Sequence, residues 1–192
     1  MHAVVRSGIG AGDQAVIYGA GPIGQAILLA AADLGARLLV VDRLPSRLEL
    51  AIELGAERAV DTSRDSADDA VAYWTDGEGP VVVYEATGVP RVLEMAIGAV
   101  APSGTVIVVG LSNEPVSIPM VTFTRKELTV VGSRNNMGQF GRAADLVRRN
   151  RGKAERLISH RFPFDDGPAA FELALNEPST PEKVIIRVGE GA

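Results

Sequence analysis

The 192-residue chain contains no cysteine and only two histidines, His2 and His160. Disulfides and thiolate chemistry are excluded, and a cytoplasmic setting is expected. Aromatic residues make up only 5% of the chain, with a single tryptophan, Trp74. No basic stripe occurs and the net charge is −5, so nucleic acid is not an expected partner. No apolar run is long enough to span a bilayer, the longest being broken by Asp33, and no signal-peptide pattern opens the chain. A membrane partner is not expected either. Hydrophobic residues, at 46%, lie in the ordinary globular range. The length suffices for one α/β domain plus a smaller appendage.

Residues 14–42 hold the densest information. A short apolar strand, Ala15 to Tyr18, runs into Gly19-Ala20-Gly21-Pro22-Ile23-Gly24, and an Ala/Leu-rich helix follows to about Leu34. A second apolar strand, Leu38 to Val41, ends on Asp42, 23 residues after the first glycine. A bare Gly-x-Gly-x-x-Gly is weak evidence. Placed between strand and helix, with the acid at this distance, it is the fingerprint of a dinucleotide site. Gly19 permits the tight turn, Gly21 lets backbone approach a pyrophosphate, and Gly24 lets the helix pack on the sheet. Pro22 suits the first helical turn because it has no N–H to leave unsatisfied. The helix N-terminus offers unpaired N–H groups to phosphate. Asp42 would bind the adenosine ribose and repel a 2′-phosphate, which favours NAD over NADP. Arg43 complicates that choice, because an arginine here can receive a 2′-phosphate.

Strand and helix patterns keep alternating after Asp42. Helices are expected over Pro45 to Leu54, Asp65 to about Thr75, and Val89 to Val100. In the first of these, Leu48, Ala51, Ile52 and Leu54 mark one apolar side, and Gly55 stops it. Strands are expected at Arg58 to Val60, Val81 to Glu85, Thr105 to Val109 and Leu128 to Val131, with a short edge strand at Pro115 to Ile118. The whole reads as a Rossmann-type doubly wound six-stranded parallel sheet. A small C-terminal α/β tail follows: a helix over Phe140 to Arg149, an extended piece from Leu157 to Phe164, a helix from Asp165 through Ala174, and a last strand from Glu182 to Val188. The expected division is 1–133 for the nucleotide-binding domain and 134–192 for the tail, which is too small for much core of its own.

These segments, in this order, resemble the zinc-dependent medium-chain alcohol and polyol dehydrogenases. The resemblance runs through SGIGAGDQAVIYGAGPIGQ (7–25), LGARLLVVDRLPSRLELAIELGAERAVD (34–61), VVVYEATG (81–88), APSGTVIVVG (101–110), LTVVGSRN (128–135) and ISHRFPFDDGPAAFELA (158–174). The SRN piece is most similar to the sorbitol- and sugar-acid-type branch. The resemblance implies a parent enzyme that moves hydride from a secondary alcohol, a polyol or sugar acid, to NAD. It also implies a catalytic domain ahead of His2 carrying zinc on a cysteine, a histidine and a carboxylate. This chain has no such set, so it reads as the cofactor half of the enzyme, with His2 beside the junction. A homodimer is expected, joined through residues 105–121.

The same resemblance assigns site residues. Gly19, Ala20, Gly21, Pro22, Ile23 and Gly24 carry the pyrophosphate turn. Asp42 holds the ribose, with Arg43 beside it and Arg47 close to the same ribose or to adenine. Thr87 and Gly88 line the groove. Val109, Gly110 and Leu111 lie beside the nicotinamide, Ser133, Arg134 and Asn135 reach its carboxamide side, and Lys183 lies near the pyrophosphate. Some residues keep two readings: Arg47 is equally a solvated helix residue, and Glu85 either faces the ligand crevice or caps the next turn. Trp74 reads as packing, His160 as structural, and Arg148, Arg149 and Arg151 as a solvated helix end. Three other functions compete. A non-catalytic NAD(H)-binding or redox-sensing module shares the glycine turn. A methyltransferase shares the turn and the acid, but not the remaining segments. A short-chain dehydrogenase needs Tyr-x-x-x-Lys, whereas Tyr18, Tyr73 and Tyr84 are followed four residues on by Pro22, Gly77 and Gly88.

Overall fold

A computed structural model describes residues 1–176 and 183–189. Strands β1 (Gln14–Tyr18), β2 (Arg37–Asp42), β3 (Arg58–Asp61), β4 (Val82–Glu85), β5 (Thr105–Val108) and β6 (Thr129–Gly132) form one parallel sheet in the order β3-β2-β1-β4-β5-β6. The strand order reverses between β1 and β4, and ligands of such sheets bind in the crevice beyond the strand ends at that point. Tyr18 and Glu85 are the register partners there.

Alternate residues of the strands feed two cores. Ala15, Ile17, Leu38, Val40, Tyr84 and Ile107 face α1 (His2–Ser7), α2 (Pro22–Ala32) and α3 (Pro45–Leu54). Val16, Tyr18, Leu39, Val41, Val83 and Val106 face α4 (Ala67–Trp74) and α5 (Pro90–Ala99). Helix starts are written locally. Proline occupies the first turn of α2, α3 and α5, where its missing N–H costs nothing. The Ser66 hydroxyl accepts from Asp69 N at the start of α4. Gly55, at φ +119°, ends α3. Trp74 is buried as expected, and its indole N–H donates to Glu57 at 3.1 Å.

The segment expected as an edge strand, Pro115 to Ile118, is not one. Prolines at 115 and 119 remove ladder donors, and Ser117 N–H goes instead to Glu94 at 3.3 Å. A short helix follows, α6 (Met120–Lys126), and the edge of the sheet is β6. Ile52 is also corrected: Leu48, Ala51 and Leu54 are buried while Ile52 is exposed.

The tail divides in two. Helices α7 (Phe140–Arg149) and α8 (Arg151–Arg156) dock on the ends of α2 and α3. Arg149 pairs with Asp33 at 2.7 Å, Asn150 donates to the same carboxylate at 2.8 Å, and Lys153 donates to the Leu54 carbonyl at 2.8 Å. Arg149 is thus a docking residue rather than part of a solvated helix end. Strands β7 (His160–Pro163) and β8 (Val184–Arg187) form a separate parallel pair, against which α9 (Gly167–Asn176) packs. Glu182, expected to begin the last strand, lies outside the described residues.

Candidate functional site

The glycine turn sits at the point where the strand order reverses. Gly19 follows β1 at φ +98°, a backbone that side chains rarely adopt, and a Cβ there would lie 2.9 Å from Thr87 Cγ2. Gly21 caps α2, and Pro22 opens it. A Cβ on Gly24 would fall 1.8 Å from the Gly19 carbonyl oxygen, so only glycine lets the first turn of α2 close onto the strand end. Ala20 is fully buried beneath this turn, while Ile23 is exposed beside it.

Asp42, ending β2, ties the turn to the next loop. One carboxylate oxygen accepts from Ala20 N at 2.7 Å, and the other accepts from Arg43 N at 2.7 Å and Leu44 N at 3.0 Å. A carboxylate has about four acceptor positions, so capacity remains for a ligand hydroxyl. Arg43 points away from burial and is exposed. Arg47 is half-buried in the first turn of α3, and its Nη1 lies 3.7 Å from where a Gly21 Cβ would stand. Its guanidinium thus lies near the turn.

Glu85 resolves to the turn-capping reading. It is 1% exposed, and one oxygen accepts from Thr87 N at 2.7 Å, Gly88 N at 2.9 Å and the Thr87 hydroxyl. These bonds set Thr87 against Gly19. Gly88, at φ +72°, lies so close to the next loop that a Cβ would stand 2.5 Å from the Leu111 carbonyl oxygen. From there the groove opens into a concavity of about 530 Å³ whose lining includes Val109, Gly110, Leu111, Ser133 and Arg134. Two segments more than twenty positions apart in sequence, 109–111 and 133–134, thus share one wall. Asn135 follows directly, at φ +57°. Lys183 immediately precedes β8, and its backbone bonds to Ser159 and His160 within the small sheet.

Sequence reasoning missed four residues here. His2, read as merely beside the junction, lines the concavity together with Arg6, and its buried Nδ1 has no partner among the described residues. Both come from α1, whose packing on β5 only the fold reveals. Gln25 is fully buried on α2 and donates to the Arg47 carbonyl at 2.7 Å. Its one sequence signal is an amide inside an apolar helix. Tyr84, behind the groove, shares a 2.7 Å hydrogen bond with Ser7, and burial pushes its phenol up to about 12.

The residues fit a dinucleotide better than a metal. Gly21 leaves an open cradle beneath Arg47 that a side chain would fill. Among the described residues, no three His, Cys, Asp or Glu side chains gather as metal ligands, so a family-type zinc finds no ligand set there. His160 lies on β7 with Nδ1 2.9 Å from the Ser159 hydroxyl, in keeping with a structural role. No helix among the described residues is long and apolar enough to cross a membrane.

Strand order and glycine turn together define a Rossmann-type α/β domain. Comparison with known sequences carries the identification further. The model of the zinc-binding dehydrogenase family matches residues 22–149, and the chain belongs to that family. Sorbitol dehydrogenase of Ovis aries is 33% identical over 178 residues, covering 91% of this chain and 50% of that protein. D-xylulose reductase of Scheffersomyces stipitis is 31% identical across 100% of this chain and 52% of its own length. The crystal structure of 2R,3R-butanediol dehydrogenase from Bacillus subtilis superposes with a TM-score of 0.89 at 31% identity, over 98% of this chain and 54% of that one. The chain therefore spans about half the length of the curated relatives it matches.

Proposed function

We propose that this chain binds NAD along the C-terminal ends of β1, β2, β4 and β5 and presents it for hydride transfer from the secondary alcohol of a polyol or sugar acid. The observation that carries this reading is the Asp42 carboxylate, held against the glycine turn by Ala20 N at 2.7 Å. An acid there accepts hydrogen bonds from ribose hydroxyls and repels a 2′-phosphate. The turn from Gly19 to Gly24 takes the pyrophosphate, with Arg47 above it. Thr87 and Gly88 line the groove, and the concavity bearing Val109, Gly110, Leu111, Ser133 and Arg134 takes the nicotinamide end. When bound, NAD supplies the hydride acceptor. This chain's residues orient it and shield one side from water. The relatives named for sorbitol, xylulose and butanediol support an alcohol with neighbouring hydroxyls as substrate.

In this reading residues 1–133 are the NAD-binding domain, and 134–192 belong with a catalytic half of the family type, to which polarising the alcohol falls. Among the described residues the outer edge of β6 has no partner strand, which supports a homodimer, because an open strand edge invites pairing. Calorimetric titration with NAD and NADP tests the central claim. NAD binding with weaker or absent NADP binding supports it, and binding of neither overturns it. Light scattering tests the dimer, which a monomer at high concentration would exclude.

A further inference from the structure

We infer that Gln25 is a positioning residue for Arg47: its buried amide holds the first turn of α3, and with it Arg47, against the glycine turn, and so affects how strongly the turn holds a diphosphate. This rests on reading the turn as a diphosphate site. Gln25 bonds to the start of both helices that frame that site. Its backbone N–H closes the first turn of α2 on the Gly21 carbonyl at 2.9 Å, and its Nε2 donates to the Arg47 carbonyl, in the first turn of α3, at 2.7 Å. A carbonyl oxygen has two lone pairs, so this bond adds to the helix's own rather than replacing it. From the other side Asp42 holds Leu44, the residue that caps α3, and Ala20 of the turn. Arg47 therefore sits on a helix end anchored twice to the turn it covers, by Gln25 from within and by Asp42 from the rim.

Gln25 is 0% exposed, and its Oε1 has no partner among the described residues. An unsatisfied buried acceptor weakens a fold, and an apolar side chain of similar size removes that cost. Such a replacement would therefore release the Arg47 carbonyl at little cost to the fold.

The test is a double-mutant cycle on the 192-residue chain, with ADP-ribose as the calorimetric probe and thermal melting alongside. Gln25→Leu is expected to weaken ADP-ribose roughly three- to tenfold, the range of one net hydrogen bond, without lowering the melting temperature. In an Arg47→Ala background the same change is expected to cost nothing further. Equal losses in both backgrounds, or an unchanged affinity, overturn the inference while leaving the diphosphate reading intact. Gln25→Met, unbranched and closest in length, guards against poor packing by leucine; if both apolar variants unfold, Gln25 is a structural amide and the inference fails. Failure of the unaltered chain to bind ADP-ribose overturns the diphosphate reading itself, and the inference with it.

Discussion

Asp42 and Ala20, 22 residues apart, are joined by a 2.7 Å hydrogen bond from the Ala20 N–H to the Asp42 carboxylate. The bond links the ends of β1 and β2 and satisfies a donor on a fully buried residue. One side chain therefore both shapes the glycine turn and faces the place proposed for the ribose.

Asp42→Ala should act twice. Three backbone donors lose their acceptor, which should destabilise the fold by about 1–3 kcal/mol. The preference for NAD over NADP should narrow as well, with NAD affinity falling about tenfold. Asp42→Asn keeps one acceptor oxygen but sets a donor against a backbone N–H at the other position, so it should recover only part of the stability while admitting the 2′-phosphate. Thermal melts and paired titrations separate the two effects.

Glycine substitutions should divide sharply by position. Gly24→Ala drives a Cβ to 1.8 Å from the Gly19 carbonyl oxygen, and should cost about 3 kcal/mol or more, or prevent folding. Gly98→Ala, in α5 with nothing within 4 Å of the new Cβ, should stabilise by about 0.5–1 kcal/mol. Denaturant midpoints check both.

Glu57 gives the fold an acid-sensitive contact. Its carboxylate takes two bonds of 2.8 Å from Arg37 and one of 3.1 Å from Trp74. The Arg37 hydrogen bond, then that of Trp74, holds the carboxyl down at about 2, against an ordinary 4.5. A depressed folded value means that the contribution is complete above 4.5 and fades as pH falls towards 2. Solvent screens this exposed pair, so the loss should stay under about 1 kcal/mol. Glu57→Gln should flatten the stability profile across that window and leave neutral-pH ligand binding unchanged.

Asp33 should control the docking of α7 and α8. The hydrogen bond from Arg149, and then that from Asn150, hold its carboxyl below the usual range. The contact is therefore present at neutral pH and lost as pH falls through the folded value. Asp33→Ala should speed amide exchange across residues 140–156 by about tenfold, leaving β1 to β5 protected. Uniform exchange across sheet and tail alike would show that the tail is not an independent unit.

Much of this molecule could be read from local chemistry. Proline at a first helical turn and glycine at a helix stop act within a few residues, so the limits of α3, Pro45–Leu54, match their expectation, while those of α7, Phe140–Arg149, match through its amphipathic pattern. The site was partly legible for the same reason, since the glycines and Asp42 lie within one βαβ unit. Pro115 to Ile118 misled because β-rich composition says nothing of where a donor goes, and Ser117 found Glu94 instead.

The sequence by itself determined the alternation of strands and helices, the buried parallel runs and the turn between Gly19 and Gly24, because periodicity and backbone freedom are local properties. Only the tertiary structure decided that Glu85 caps a turn, that Gln25 reaches Arg47, that Arg149 docks on Asp33, and that His2 and Arg6 share a wall with Arg134. Each of these depends on a donor meeting an acceptor, or one surface meeting another, between segments tens of residues apart. Strand order sets such meetings, and no local signal encodes it.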